Sequence, residues 1–204
     1  HGTEFLNGRC PNCNSLPRTR FFAFCIKSYY KDNSSILHIS PNQSEYNFIK
    51  NQLNIGKYDR LDKRKFAHIN LVRDLVDNLN ITNSYKFIFI WHVLEHIEED
   101  ITALENLFSS LKPDGKLIAS VPIYPAGNPF TIENKNINKE EYETVHGHPD
   151  HVRSCGDDYK LRFEKVGFIN IATIKVENLP KDQIKQYGLS TDHMAWICEK
   201  PNKL

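Results

Sequence analysis

The sequence predicts an α/β fold: a three-layer α/β/α sandwich around a seven-stranded, mostly parallel sheet with an antiparallel terminal strand. Three observations carry this. From Ser35 onward, short apolar stretches alternate with stretches whose apolar residues recur at helical spacing. The segment Tyr85-Lys86-Phe87-Ile88-Phe89-Ile90-Trp91 is almost continuously apolar, as a strand buried on both faces of a parallel sheet must be. The chain then closes with two strand-like stretches joined without a clear helical pattern, which suits an antiparallel ending.

Near the start, Phe21, Cys25 and Ser28 or Tyr29 recur at helical spacing, which predicts a helix laid on the main body. Residues 36–40 (Ile-Leu-His-Ile-Ser) form the first short strand, ended by Pro41. Tyr46, Ile49 and Leu53 mark one face of a helix closed by Gly56. Residues 57–61 and 67–72 supply the second and third strands, and 85–91 the fourth. Ile101, Leu104, Leu107, Phe108 and Leu111 define an amphipathic helix stopped by Lys112-Pro113-Asp114-Gly115, before a fifth strand at 116–121. A long polar stretch follows, 124–153, rich in Asn and Glu. Tyr159, Phe163 and Val166 mark a helix ended by Gly167, and the last two strands are 168–176 and 193–199, with a loop between them.

Composition narrows the function. The 204 residues are 40% hydrophobic and 25% charged, and 26 basic side chains face 25 acidic ones for a net charge of +1. Binding nucleic acid through counterion release needs a basic face, so this balance makes nucleic acid an unlikely partner. Purely apolar runs such as Phe87 to Trp91 are far short of the roughly 20 residues of a membrane helix, so no membrane partner is expected. Five cysteines without a framework spacing point to a reducing, cytoplasmic compartment. The opening His1-Gly2-Thr3-Glu4-Phe5 reads as a tag remnant (residues 1–5). Residues 6–34 then form an N-terminal appendage with its helix, and 35–204 the main domain. In an open parallel sheet, ligands bind beyond the carboxyl ends of the strands, so the chemistry is sought at 40–44, 59–62, 74, 91–96 and from 122 onward.

Those positions carry a resemblance. His92-Val93-Leu94-Glu95-His96-Ile97 follows an apolar strand and precedes a helix ending in Leu111-Lys112-Pro113-Asp114-Gly115-Lys116-Leu117. This order of strand, turn, helix and turn resembles the class I S-adenosylmethionine-dependent methyltransferases, whose sheet is Rossmann-like. Cys10-Pro11-Asn12-Cys13-Asn14-Ser15 with Arg18 and Arg20 resembles a narrower group of small bacterial, type-11-like methyltransferases with an N-terminal CPxC motif. So does the stretch from His151-Val152-Arg153 through Gly156, Asp158 and Arg162 to Gly167-Phe168. The matches run from about Cys10 to Lys200. One departure stands out: His38-Ile39-Ser40-Pro41-Asn42-Gln43-Ser44 occupies the place of the family's first glycine-rich turn and contains no glycine.

The resemblance implies S-adenosylmethionine as cofactor, S-adenosylhomocysteine as product, and roles for particular residues. His38, Ser40, Pro41 and Asn42 would form the first turn against the cofactor. Asp62 would accept from the ribose hydroxyls, since a carboxylate accepts two hydrogen bonds and donates none, with Asp59 as the alternative. Asp74 would accept from the adenine amino group with Leu75 beside the ring, unless it is a helix N-cap. Trp91 would lay an aromatic edge over the methionine arm, unless it packs in the core. His92, at a strand's carboxyl end, would act as general base or orient substrate. Glu95 and His96 have structural capping and packing as their commoner role. Residues 124–153 would form a substrate or lid segment, in which His151 would remove a proton from an attacking hydroxyl and Arg153 hold an anionic group. The acceptor expected is a small polar, anionic or saccharide-linked molecule methylated on oxygen.

Two further readings stand beside this. Cys10 and Cys13 are half of a structural zinc site, which needs four ligands. His92, Glu95, His96 and a later histidine could hold a metal, as in some RNA-end methyltransferases of the superfamily, but no metal site is assigned. The glycine-free turn also suits a cofactor-binding or interaction module that has lost catalysis.

Overall fold

The computed structural model describes residues 8–134 and 136–202. The expected tag remnant at 1–5 lies outside them. Seven strands form one sheet in the order β3-β2-β1-β4-β5-β7-β6, where β1 is Ser34–Ile39, β2 Ile55–Asp62, β3 Leu71–Val72, β4 Tyr85–Trp91, β5 Leu111–Ser120, β6 Ile169–Lys175 and β7 Met194–Glu199. The pairs from β3 across to β5 are parallel. Strand β7 inserts antiparallel between β5 and β6. Among the described residues six α-helices accompany the sheet: α1 Pro17–Tyr29, α2 Gln43–Gln52, α3 Asp100–Ser110, α4 Tyr142–His146, α5 Lys160–Val166 and α6 Lys181–Tyr187. The expected three-layer, mostly parallel architecture is present.

The alternation of side chains along each strand divides the core in two. Ile88 and Ile90 of β4, with Leu37 and Ile39 of β1, pack against Leu104, Leu107 and Phe108 of α3 and Phe163 of α5. Phe87, Phe89 and Trp91 point the other way, with Ile36 of β1, onto Phe21, Phe22, Cys25 and Ile26 of α1 and Ile49 of α2. Helix α1, placed by sequence in an appendage, is therefore one of the helices covering the second face. Arg20 ties it down further: its guanidinium donates to the carbonyls of Gly8, Ser15, Tyr187 and Gly188. That contact joins the start of the chain to the end of α6.

The sequence expectations differ from the structure at several bounds; Gly56, expected to close the second helix, lies in β2, after a helix that ends at Gln52. The third strand is two residues long rather than six. Here Asn70 Oδ1 accepts from the Arg60 amide and Arg60 Nε donates to the His68 carbonyl, so side chains replace ladder bonds. Strand β5 starts at Leu111, because Tyr85 pairs with Leu111 before the Lys112-Pro113-Asp114-Gly115 bend shifts the register. The loop expected between the last two strands contains α6, a helix of seven residues, none of them fully buried.

Candidate functional site

A cavity of about 850 Å³ opens beyond the carboxyl ends of β1, β2, β3 and β4. The sheet turns in opposite directions from β1 and β4, so the crevice lies at the topological switch point.

The β1 wall is Ser40, Pro41 and Asn42. Ser40 adopts φ +45°, the left-handed region that glycine enters freely, and its N–H donates to the Leu61 carbonyl at 2.7 Å. The glycine-free turn thus reaches a glycine-like conformation. Asn42 caps α2: its Oδ1 accepts from the Glu45 amide at 3.0 Å, and Glu45 Oε2 accepts from the Asn42 amide at 3.1 Å. Asn42 Nδ2 also donates to Glu45 Oε1, so its amide group is committed to the cap. His68 braces the turn from across the crevice by donating from Nε2 to the Pro41 carbonyl at 2.8 Å.

At the β2 end stands Asp62, only 5% exposed; its Oδ1 accepts from the Arg64 amide at 2.7 Å. Among the described residues Oδ2 has no hydrogen-bond partner. Asp59, the alternative, faces elsewhere and is used up by Tyr85 Oη at 2.7 Å, Asn70 Nδ2 at 2.7 Å and Lys57 Nζ at 2.9 Å. At the β3 end, Asp74 and Leu75 line the cavity. Asp74 Oδ1 accepts from the Val76 amide at 3.2 Å in a local turn, and no helix follows for it to cap.

At the β4 end, His92 lines the cavity with φ +53°, and its N–H donates to the Ser120 carbonyl at 2.9 Å. Its Nδ1 stands 3.5 Å from Glu95 Oε1, and its buried Nε2 has no hydrogen-bond partner among the described residues. Glu95 is itself buried. Burial pushes its carboxyl pKa up, but His92 and His96 outweigh that and hold it below the ordinary value. The far wall is Lys139, Tyr142, Pro149, Asp150 and Val152, from the polar stretch after β5.

Three expected site residues are elsewhere. His38 has the parity of Ile36 and so points onto α1, where its ring stacks on Phe22 and Nδ1 bonds Tyr58 Oη at 3.0 Å. Burial pushes its pKa down to about 3, so it is a neutral core residue. Trp91 shares the parity of Phe87 and Phe89. It packs edge-on against Phe21 and Phe22, and its indole N–H donates to the Arg18 carbonyl at 3.1 Å. Neither side chain lines the cavity.

Arg153 is the third correction. It is 2% exposed, and its guanidinium donates to the carbonyls of Leu94, Ile97 and Glu98 and to Glu133 Oε1, while pairing with Asp100 at 3.5 Å. With its donors spent inside the fold it cannot clasp a substrate anion. Burial raises the Glu133 pKa, but Arg153 and Arg162 more than reverse this and hold it low. His151, half-buried, sits just behind the cavity wall between its lining neighbours Asp150 and Val152.

Sequence reasoning did not single out His68, Arg64, Arg73, Lys139 or Tyr142 as cavity residues. His68 offered only its residue type as a signal, and Tyr142 only its place in the stretch after β5. The two cysteines of the CPxC segment do not form a cluster with other ligands among the described residues: Cys13 Sγ contacts Ser15 Oγ at 3.0 Å, and Cys25, Cys155 and Cys198 are buried. No helix of the described residues is long and apolar enough to cross a membrane.

Solved structures share this architecture. An S-adenosylmethionine-dependent methyltransferase from Archaeoglobus fulgidus superposes with a TM-score of 0.61 at 14% identity, covering 89% of this chain and 94% of that one. Phosphoethanolamine N-methyltransferase 2 of Haemonchus contortus, in complex with S-adenosyl-L-methionine, gives 0.61 at 14% identity over 89% of this chain and 52% of that one. The same enzyme with phosphomonomethylethanolamine and S-adenosylhomocysteine gives 0.61 at 13% identity over 96% and 55%. No curated protein matches the sequence. A family model described as a methyltransferase domain matches residues 28–173, spanning β1 through most of β6 and every wall of the cavity, and the chain belongs to that methyltransferase domain family.

Proposed function

We infer that the protein is an S-adenosylmethionine-dependent methyltransferase whose cofactor occupies the cavity at the switch point, and that it methylates an oxygen of a small polar, anionic or saccharide-linked acceptor. The observation that carries the cofactor reading is the pair Asp62 and Asp74. Two carboxylates from adjacent strand ends each spend one oxygen on a local backbone amide and keep the other free beside one cavity. Asp62 accepts from the ribose hydroxyls, and Asp74 from the adenine amino group with Leu75 against the ring. Ser40 and Pro41 bring bare backbone against the ligand, as the family's glycines do.

S-adenosylmethionine supplies a methyl group on a sulfonium sulfur, already activated for in-line displacement. The protein's contribution is then mostly to hold the acceptor oxygen in line with that methyl. His92 lines the cavity with Glu95 Oε1 facing its Nδ1 and with its Nε2 buried, which supports a role in orienting the acceptor. The 124–153 segment supplies the acceptor's side of the cavity through Lys139, Tyr142, Pro149, Asp150 and Val152. His151 acts from behind this wall. The CPxC segment and the 151–168 motif support placement in the small bacterial group.

Calorimetric titration with S-adenosylmethionine and S-adenosylhomocysteine tests the reading. One-to-one micromolar binding is expected, weakened by about 1–3 kcal/mol in Asp62→Ala and in Asp74→Ala, the cost of leaving ligand donors unpaired. Absence of heat and of thermal stabilisation at millimolar ligand would refute it.

A further inference from the structure

Arg18 and Arg20 of the amino-terminal motif both fall in the first turn of α1, and the structure uses them differently. Arg20 spends its guanidinium on the carbonyls of Gly8, Ser15, Tyr187 and Gly188. Arg18 is exposed, and its guanidinium has no hydrogen-bond or carboxylate partner among the described residues. The place is unfavourable for a cation. The amino end of a helix carries positive partial charge, and the first turn of α1 has no acidic residue to offset it. Fold stability therefore does not account for Arg18.

Its surroundings point to a ligand. The Trp91 indole at the end of β4 donates to the Arg18 carbonyl at 3.1 Å, so α1 starts at the edge of the sheet where the cavity opens. Three residues on, along the same face of α1, Phe21 stacks on His193 with ring centroids 6.2 Å apart. His193 immediately precedes β7, and its ring meets that of His92 edge-on at 6.1 Å. Each of these imidazoles keeps one buried nitrogen without a hydrogen-bond partner among the described residues, Nε2 of His92 and Nδ1 of His193. Burial pushes the His193 pKa down to about 4; Asp192 opposes this, and His92, Arg18 and Arg20 add to it. Burial pushes the Glu45 pKa up to about 7, and Arg18 is among the groups that oppose it, so this cation is felt both at the start of β7 and at the cap of α2.

We propose that Arg18 and His193, beside His92, form a binding site for an oxyanion, the carboxylate or phosphate group of the acceptor. A guanidinium presents two parallel N–H donors to such a group, and an imidazole always carries at least one N–H. Arg153, whose donors are spent inside the fold, leaves this task open. The position also suits an acceptor. With the adenosine at Asp62 and Asp74, on the β2 and β3 side of the crevice, His193 stands on the other side of His92, toward β5 and β7. Asp192 lies 4.0 Å from His193 Nδ1, but its side chain is 58% exposed and solvent screens it. The acceptor role rests on the methyltransferase reading; the oxyanion site itself does not.

The test titrates glucuronate and inorganic phosphate separately into the protein without cofactor, at constant ionic strength, and follows the imidazole C–H signals by NMR. His193→Gln and His92→Gln identify the two signals. A saturable shift of the His193 signal with millimolar affinity is expected for one anion or both, and the anion that produces it tells a carboxylate from a phosphate. Arg18→Gln should weaken the response by about fivefold or more, while Lys27→Gln, in the last turn of α1, leaves it unchanged. Arg18→Gln removes a side chain without partners, so its Tm should stay within about 1 °C of the parent's, and a lost response is then a lost ligand contact. No saturable shift with either anion, or a shift that Arg18→Gln leaves intact, overturns the proposal. Calorimetry with S-adenosylhomocysteine on the same proteins keeps the two readings apart. Cofactor binding without an anion response refutes the oxyanion site alone, and an anion response without cofactor binding refutes the methyltransferase reading alone.

Discussion

Replacing Arg153 with Met should destabilise the fold, not weaken a substrate. The side chain is 2% exposed and serves three carbonyls (Leu94, Ile97 and Glu98) together with Glu133, at 2.6–3.0 Å. Each hydrogen bond to a charge is worth roughly 1.5–3 kcal/mol, but they share one guanidinium and do not add. Asp100 is not orphaned by the change, because Arg162 at 2.8 Å and Tyr159 Oη at 2.6 Å still hold it. The expected loss is therefore that of one broken buried pair, about 3–5 kcal/mol, with Met filling the volume. At roughly 2–4 °C per kcal/mol for a chain of this size, Tm should fall by on the order of 10 °C. Urea unfolding followed by tryptophan fluorescence reads this directly, since Trp91 and Trp196 are both buried, one in each half of the core. Arg153→Lys should recover about half at most, because an ammonium cannot reach three divergent carbonyls at once. A loss below about 1 kcal/mol, or a rise in acceptor KM with stability unchanged, would refute the structural role and restore Arg153 as an anion clasp.

Three further outcomes are expected. Ser40→Gly should stabilise the protein by up to about 1 kcal/mol and Ser40→Val destabilise it by about 1–2, because φ +45° disfavours a side chain, a branched one most; equal melting temperatures would contradict this. Glu45, pushed up to about 7 by burial, binds a proton in the folded state that the unfolded chain releases above about 4.5, so its contribution to stability grows as pH falls from 7 to 4.5. His38, pushed down to about 3 by burial, works oppositely, since the unfolded chain gains the proton first below 6.5. Glu45→Gln should therefore lose stability more steeply than the parent between pH 6.5 and 4.5, and superimposable Tm profiles would count against it. Gly156→Ala should cost about 1–3 kcal/mol in urea unfolding, because a Cβ there would meet the Phe130 backbone at 2.4–2.7 Å; an unchanged midpoint would show that residues 128–131 can move aside.

Much of the fold was legible because the period-2 and helical patterns are local. Strand β4 was bounded at Tyr85 and Trp91 to the residue, since an apolar run of that density has one reading. Helix α3 was nearly as clear, from Ile101, Leu104, Leu107 and Phe108 at helical spacing; Leu111, the fifth apolar residue of that pattern, opens β5 instead. What the pattern does not contain is direction. Nothing in 36–39 says that His38, rather than Leu37, faces α1, and that choice decides whether the histidine meets a ligand or Phe22. Trp91 was misplaced for the same reason. Arg153 failed differently: the carbonyls it serves lie more than fifty residues away, and no spacing announces them. Helix α6 was missed because seven mostly polar residues show no apolar stripe. The site residues that did reach the cavity, Ser40, Asp62, Asp74 and His92 among them, stand at or within two residues of the carboxyl ends of strands, where topology fixes the location.

Strand ends also explain how the chain dispenses with glycine. Ser40 and His92 follow β1 and β4, the two strands that flank the crevice, and both take a left-handed backbone conformation. For residues with a Cβ this costs roughly 1–2 kcal/mol each. Each is pinned by its own N–H, Ser40 to the Leu61 carbonyl and His92 to the Ser120 carbonyl, so each extends the ladder by one bond before the chain turns away. The sheet thus imposes the turn, and the side chain that results is a serine or a histidine where a glycine would offer none. Strain of this kind persists only where its surroundings over-determine it, and it concentrates at functional sites. At β4 its consequence is chemical: the left-handed turn brings the His92 ring to the cavity within 3.5 Å of the buried Glu95 carboxylate. A glycine there would relieve the backbone and remove an imidazole from the cavity wall at the end of β4.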